Sequence, residues 1–282
     1  MDEKKGMVIK SFIGVCILGV MITSVFSGCV ENRGIQTLKI SGSTTVLPIA
    51  QRAAEGYMKQ YPNVDIQVSG GGSSVGIRSV GEGSVDIGMA SRELKPSEKT
   101  SYPNLVQHVI AKDGIAIIVN PDNPVSQLTI EQVKGIYNGT YTNWLDLGGN
   151  DLEIVVVGRD SASGTREFFW EHIMEKEGFR NDMLEMNSNG AVHDKVATTP
   201  GAVGYVGLGY VDEEVKGLRI WNNDEWVEPT IMNVKNGKYP IARNLNMFTN
   251  GEPTGLMKDF IDFILSSEGQ QIVEEEGFVS II

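Results

Sequence analysis

Cysteine is almost missing from this sequence of 282 residues. The only two, Cys16 and Cys29, both lie near the N-terminus. The rest of the chain therefore has no residues for a disulfide or a cysteine-ligated metal.

Histidine is nearly as scarce, with three residues that share no motif: His108, His172 and His193. Hydrolysis needs a nucleophile with a nearby base, or a metal cluster, and the H-E-x-x-H spacing of a zinc site is absent. The serine-rich stretch at 158–165, GRDSASGT, lacks both the G-x-S-x-G elbow of serine hydrolases and the lysine of a phosphate-binding P-loop. These absences favour a binding protein over an enzyme. We predict that His172 lies on the surface of a helix.

Basic residues are fewer than acidic ones: the sequence has 24 Lys and Arg and 36 Asp and Glu, which gives a net charge of −12. This balance argues against nucleic acid as a partner. An anion would have to bind through local donors, because the overall field of the protein repels it. The composition, 41% hydrophobic and 21% charged, is that of a soluble globular protein without repeats. The length predicts two lobes.

The N-terminus has the pattern of a targeting segment. Three lysines precede a largely apolar run at 11–26, which is short for a transmembrane helix and typical of a secretory signal. Small residues at 27–28 then precede Cys29, as at a lipoprotein processing site. We predict a signal peptide at 1–28, lipidation of Cys29 and a tether at 29–35. The alternative is an uncleaved membrane anchor.

The stretch at 158–170, GRDSASGTREFFW, joins a buried strand at 154–157 to a helix predicted from Arg166 to Lys176. A helix N-terminus offers free N–H groups and the positive end of a dipole, which suits an anion. Hydroxyl groups of Ser163 and Thr165, the small Gly164 and the forked donor of Arg159 fit the same purpose. An ordinary helix cap is the alternative, since caps use the same residue types.

Three strand ends in the N-terminal part of the chain also carry hydroxyl groups or arginine. Ser43, Thr44 and Thr45 follow a strand at 36–41 and precede a helix at 46–61. A Gly/Ser cluster at 69–74 follows a strand at 64–68, and Ser91-Arg92-Glu93 follows a strand at 85–90. In open α/β sheets, ligands bind at the edge where parallel strands end. The sequence therefore predicts a binding site at that edge.

The remaining patterns predict further elements. Two long extended segments, 106–119 and 239–248, should connect the lobes as a hinge. Helices are expected at 128–137 and 191–199, the second capped by Ser188 or Asn189. A hairpin is expected at 225–237, and an amphipathic helix or pair of helices at 255–275.

Eight segments, in order over residues 36–280, resemble the phosphate-binding subunit of phosphate ABC transporters, within the type II periplasmic binding proteins. The segments are ISGSTTVLP (40–48), GGGSSVGI (70–77), DIGMASRELK (86–95), IYNGTYTNW (136–144), GRDSASGTREFF (158–169), PGAVGYVGLGY (200–210), YPIARNL (239–245) and FILSSEGQQIVEEEGFV (263–279). Each is weak alone, but their shared order makes chance similarity implausible.

This resemblance implies an α/β fold of two lobes, each a mostly parallel sheet flanked by helices, that close over phosphate about a hinge of two extended segments. Lobe 1 would comprise residues 36–111 and 244–282, and lobe 2 residues 112–243. Matching the motifs position by position implies a phosphate site without a metal or cofactor. Its expected residues are Ser43, Thr44, Thr45, Ser73, Arg159, Ser163, Gly164 and Thr165.

One position departs from the family pattern. Well-known members have an aspartate after the A-S of the third strand, where it accepts a hydrogen bond from protonated phosphate. This sequence has Arg92 there, followed by Glu93. Arginine is a donor only, so it would favour a dianion if it faced the ligand. The alternative is that Arg92 points away and pairs with an acid across the cleft.

We therefore expect an extracytoplasmic, lipid-anchored and monomeric solute-binding protein, not an enzyme, that delivers inorganic phosphate to the permease subunits of an ABC transporter. Alternatives are the same fold binding sulfate, molybdate or tungstate, and a phosphate receptor that signals to a sensor.

Overall fold

The structure, a computed structural model, describes residues 34–282 of the chain. The predicted signal peptide 1–28, Cys29 and most of the predicted tether 29–35 lie outside the described residues. Within residues 34–282, no helix combines the length and the apolar character needed to cross a membrane.

Strands and helices alternate along most of the described chain, as the sequence predicts for an α/β fold. The strands are β1 (Gln36–Gly42), β2 (Val64–Ser69), β3 (Ile87–Ala90), β4 (Leu105–Val119), β5 (Gln127–Leu128), β6 (Val155–Arg159), β7 (Leu184–Met186), β8 (Ala202–Gly207), β9 (Lys216–Gly217), β10 (Arg219–Asn222), β11 (Glu225–Val227) and β12 (Ala242–Asn250). The helices are α1 (Leu47–Gln60), α2 (Ser73–Gly81), α3 (Pro96–Ser101), α4 (Ile130–Tyr137), α5 (Gly164–His172), α6 (Asn189–Ala197), α7 (Ile231–Lys235), α8 (Gly255–Leu265) and α9 (Ser267–Glu275).

Local signals account for most of these elements. Helix α1 has a proline in its first turn and buries one face that includes Ile49, Ala53 and Tyr57. Strand β6 is apolar until Gly158, and its Val156 and Val157 are both buried, as expected for a strand covered on both faces.

One curled sheet runs through the fold in the order β2-β1-β3-β12-β4-β8-β6-β7. The outer pairs are parallel: β1 with β2 and β3, and β6 with β7 and β8. The two long strands at the centre, β4 and β12, are antiparallel to each other and to their outer neighbours β8 and β3. Strand β4 pairs with β12 along residues 105–114 and with β8 along residues 115–119. It therefore joins the two sides of the sheet.

Two large apolar cores lie on these two sides. One is built mainly from β1, α1, β3, α8 and α9, and we name these elements with β2, α2 and α3 the β1 half. The other is built mainly from α4, β6, α5 and β8, and we name these elements with β7 and α6 the β6 half. Along β4, Ala111 belongs to the first core and Ile115 to the second; along β12 and the residues before it, Leu245 and Ile241 divide in the same way.

Several predicted boundaries were wrong. Helix α5 begins at Gly164, two residues before the predicted start, because Ser163 caps it. It ends at His172 and not at Lys176, which has a positive φ that does not fit a helix. The hairpin predicted at 225–237 is instead β10 and β11 around a turn at 223–224, and residues 231–235 are helix α7. Strand β12 begins at Ala242 and not at Tyr239, since Pro240 has no N–H for the ladder. The C-terminal pattern forms two helices, α8 and α9.

Candidate functional site

All eight residues expected at the site are buried, and they lie where strands give way to helices. Ser43, Thr44 and Thr45 form the turn between β1 and α1, and Ser73 is the first residue of α2. Arg159 ends β6, and the Ser163–Thr165 segment starts α5. The two halves of the fold meet here, because the side-chain oxygens of Thr45 and Thr165 are 3.2 Å apart.

Small residues make this close approach possible. A Cβ atom on Gly164 would lie only 2.2 Å from Ser73 Oγ, so only glycine fits between α5 and α2. Gly72, just before α2, has a φ of +93° that favours glycine, and its missing Cβ would meet the carbonyl oxygen of Ala162 at 2.5 Å. The backbone N–H of Ser74 donates to that same carbonyl at 3.1 Å. The loops of the two halves are therefore in direct contact.

The hydroxyl groups of the site share one arrangement. Each of the six side-chain oxygens accepts a hydrogen bond from an N–H group: Ser43 from the Thr45 amide, Thr44 and Thr45 from Asn189, Ser73 from the Ser91 amide, Ser163 from the Arg166 amide and Thr165 from Arg243. An N–H group can only donate, so it takes up a lone pair of the hydroxyl and leaves the hydroxyl's own proton available. Because Thr45 and Thr165 share one hydrogen bond, at most five of the six protons are left to donate to a ligand.

Arg159 is the main charged donor, and it is only 1% exposed. Its Nε and Nη2 atoms donate to the carbonyl oxygens of Met186 and Asn187, each at 3.2 Å. Among residues 34–282, no carboxylate lies within ion-pair distance of its guanidinium. Burial lowers the pKa of Arg159, although the group stays charged at neutral pH. A buried cation without a counter-charge is costly, so the site is suited to an anion.

A second arginine, Arg243 on β12, was not predicted. Its Nη2 atom donates to Thr165 Oγ1 at 3.0 Å and to Thr45 Oγ1 at 3.3 Å, so it contacts both halves of the fold. It also forms a buried ion pair with Asp113 of β4, at 2.8 Å. Burial raises the pKa of Asp113, and the charge of Arg243 opposes that rise. The pair is neutral as a unit, which leaves the charge of Arg159 uncompensated.

The sequence does carry a signal for this pair. Lys112-Asp113 interrupts one apolar extended run, and Arg243 lies in the other. A charged residue in an otherwise buried strand needs a partner, but the sequence does not say which strand provides it.

Asn189, considered only as a possible helix cap, is a second residue that connects the two halves. Ser188 is the cap of α6, since its Oγ accepts from the Ala191 amide at 3.1 Å. The Asn189 Nδ2 atom instead donates to both Thr44 and Thr45, while its Oδ1 atom accepts from the Gly207 amide. Tyr210 adds another contact, as its hydroxyl donates to the Thr44 carbonyl at 2.6 Å.

Arg92 points away from the hydroxyl cluster and forms a forked ion pair with Glu98, with both N–O distances at 2.7 Å. It also donates to Ser74 Oγ at 3.0 Å. The expected pairing with an acid is confirmed, but the expected position across the cleft was wrong. Glu98 lies in α3, only six residues along the chain, where it also accepts from the Lys95 amide. Burial raises the pKa of Glu98, and the contacts with Arg92 and Lys95 outweigh it, so the pKa lies below its usual value.

The histidines take no part in this hydroxyl cluster. His172 is exposed at the end of α5, which confirms the expected surface position. His108 shares a hydrogen bond with Thr249, and His193 with Asp212. The fold also brings Glu214 close to the His193–Asp212 pair, near enough for the three side chains to share a cation, a grouping that the spacing of the histidines did not predict.

The fold is that of the type II periplasmic binding proteins, and the expected site residues are a buried set of hydroxyl groups and the buried Arg159. A family model described as a PBP superfamily domain matches residues 30–268. The chain belongs to this superfamily and, within it, to the family of the phosphate-binding proteins PstS.

The similarity to that family extends along most of the chain. PstS of Bacillus subtilis is 37% identical over 89% of this chain and 83% of its own length. PstS of Borreliella burgdorferi is 34% identical over 95% of this chain and 98% of its own. Among solved structures, a substrate-binding protein assigned to a phosphate ABC transporter of Clostridium perfringens, crystallised with bound phosphate, is 41% identical. The match covers 88% of this chain and all of that one, with a TM-score of 0.79.

Proposed function

We propose that this protein captures inorganic phosphate at the buried hydroxyl cluster and delivers it to the permease subunits of a phosphate ABC transporter. The observation that carries the proposal is the combination of a buried Arg159 guanidinium, with no carboxylate within ion-pair distance among residues 34–282, and a buried cluster of hydroxyl groups that can donate. Pre-oriented donors lower the cost of taking an anion out of water. The names of the relatives support phosphate as that anion.

Capture requires the fold to open. The donors are too deeply buried for an anion to reach them in the described conformation, which has direct contacts between the two halves. We propose that lobe 1 (36–111 and 244–282) and lobe 2 (112–243) separate about a hinge. The pairing of Ala111 with Leu245, and of Gly114 with Ala242, supports a hinge where β4 and β12 run side by side. Phosphate favours the closed form because only that form offers both sets of donors.

We propose a binding role without catalysis. In support, no hydroxyl of the cluster is hydrogen-bonded to a histidine in the part of the chain that the structure describes.

We also propose that the chain is monomeric and held by a lipid on Cys29 at the outer face of the cytoplasmic membrane. The apolar run at 11–26 and the small residues before Cys29 support this location.

The test is calorimetric titration of the parent, Arg159→Ala and Arg159→Lys with phosphate. Truncating a charged donor at a buried pair costs about 2–5 kcal/mol, so Arg159→Ala should weaken binding by more than about tenfold. Arg159→Lys should fail to restore it, because an ammonium lacks the forked donor. Arg52→Ala, the same change at an exposed arginine of α1, is the matched control.

The assignment of Arg159 fails if Arg159→Ala binds phosphate within threefold of the parent. Titrating the parent with sulfate, molybdate and tungstate tests the choice of anion. If one of these binds more tightly than phosphate, the protein carries that oxyanion instead.

A further inference from the structure

The donors of this site leave one requirement of phosphate unmet. Near neutral pH inorganic phosphate carries at least one proton, and a buried P–OH group needs an acceptor. Arg159 and Arg243 can only donate. Each of the six hydroxyl oxygens already accepts from an N–H group, which occupies one of its two lone pairs. An acceptor to which no N–H group donates is better suited to the ligand's proton.

Other side-chain acceptors that contact the cluster or its arginines in residues 34–282 include Asp113, Asn189 and Tyr205, and each already accepts a hydrogen bond; Tyr205 Oη accepts from the Arg159 amide. Asp113 uses Oδ2 for two hydrogen bonds from Arg243 and Oδ1 for the Leu208 amide. The Oδ1 atom of Asn189 accepts from the Gly207 amide. Arg92 and Glu98 neutralise each other away from the cluster.

Ser91, the residue after β3, has a free acceptor. Its side chain is 1% exposed, and within residues 34–282 no N–H group donates to its Oγ atom. The contact made by that atom is with Ser73 Oγ, at 3.4 Å. A Cβ atom on Gly164 would lie 3.0 Å from Ser91 Oγ and 2.2 Å from Ser73 Oγ, so both oxygens face the start of α5.

Either hydroxyl can be the donor in the contact between Ser73 Oγ and Ser91 Oγ. The Ser91 amide donates to Ser73 Oγ at 3.0 Å, which leaves the Ser73 proton for the anion. The Ser91 hydroxyl can donate its own proton to the remaining lone pair of Ser73. In that arrangement the lone pairs of Ser91 Oγ are free to accept a hydrogen bond.

We propose that Ser91 accepts the hydrogen bond from the protonated oxygen of bound phosphate, and that it thereby favours phosphate over anions without a P–OH group. This inference rests on the proposed function and adds to it the residue that accepts the hydrogen bond from the P–OH group of the ligand. A neutral hydroxyl can rotate and donate instead, so its preference is weaker than that of a carboxylate, which only accepts.

The test compares phosphate with fluorophosphate at pH 8. Fluorophosphate has the same charge and nearly the same size, but fluorine replaces the hydroxyl group. Calorimetry gives the affinity for phosphate, and competition against phosphate gives that for fluorophosphate. Ser91→Ala should lower the affinity for phosphate by about 5- to 150-fold, the effect of leaving a buried donor unsatisfied, and change the affinity for fluorophosphate less than twofold.

The control is Ser41→Ala, the same change at a buried serine of β1 whose hydroxyl donates to the Gly70 carbonyl. It should leave both affinities within twofold of the parent. The proposal is overturned if Ser91→Ala binds phosphate within threefold of the parent. It is also overturned if Ser91→Ala lowers the affinities for both anions equally, because Ser91 would then act only by positioning Ser73. A parent protein that binds no phosphate at all would instead refute the proposed function itself.

Discussion

Replacing Gly164 by alanine tests whether binding depends on contact between the two lobes. The new Cβ would lie 2.2 Å from Ser73 Oγ and 2.8 Å from Ser73 Cβ, both across the contact. Backbone strain does not arise, because Gly164 has no positive φ. Alanine also favours a helix over glycine. If the lobes separate as proposed, the substitution disturbs the closed form and leaves α5 and the open form intact.

The expected magnitude follows from this overlap. Forcing an extra methyl group into a packed interior costs about 1–3 kcal/mol, and here only the closed form bears that cost. Phosphate affinity should consequently fall by roughly 5- to 150-fold, since each 1.4 kcal/mol is a factor of ten. Calorimetry measures this loss. Small-angle scattering at saturating phosphate should show a smaller decrease in the radius of gyration than in the parent.

Gly190→Ala provides the matched control. Gly190 lies in the first turn of α6, and a Cβ atom there would have no atom within 4 Å. Gly190→Ala should bind phosphate with the affinity of the parent. Without ligand, Gly164→Ala and Gly190→Ala should both melt within about 2 °C of the parent, since a change in stability below 1 kcal/mol moves the melting temperature little. If Gly164→Ala binds phosphate within twofold of Gly190→Ala, the reasoning is refuted.

Two further predictions concern stability. Asp113→Asn leaves Arg243 buried without its counter-charge, which costs about 3–5 kcal/mol and should lower the melting temperature by roughly 6–20 °C; a decrease below 2 °C would contradict the ion pair seen at 2.8 Å. For His193, burial lowers the pKa, but hydrogen bonds to Asp212 and Asp194 outweigh this effect and the folded pKa is raised. The stabilisation is thus complete below the unfolded pKa of about 6.5 and is lost as pH rises through the folded value, so His193→Gln should lower the melting temperature by about 1–4 °C at pH 6 and by less at pH 9. Equal decreases at the two pH values would count against this pair.

The sequence by itself determined the strand–turn–helix units and the donors at their junctions. These residues lie in the turns between a strand and a helix or in the first turn of the helix, where local rules of capping and turn formation apply: Ser43 to Thr45, Ser73 and Ser163 to Thr165. Apolar periodicity predicted the helices and strands around them. Signals of this kind depend on neighbours within one or two turns, so they can be read without knowing the fold.

The tertiary structure alone decided which distant residues complete the site. Arg243 meets Asp113 from 130 positions away, and Asn189 reaches Thr44 across 145. A strand's sequence shows that a buried charge or amide needs a partner, but the partner depends on which strands lie side by side. The sequence also left open where these side chains point. Arg92 pairs with Glu98, and Ser91 contacts Ser73. Hydrogen bonding in a buried site depends on distances of a few tenths of an ångström, and only packing fixes those.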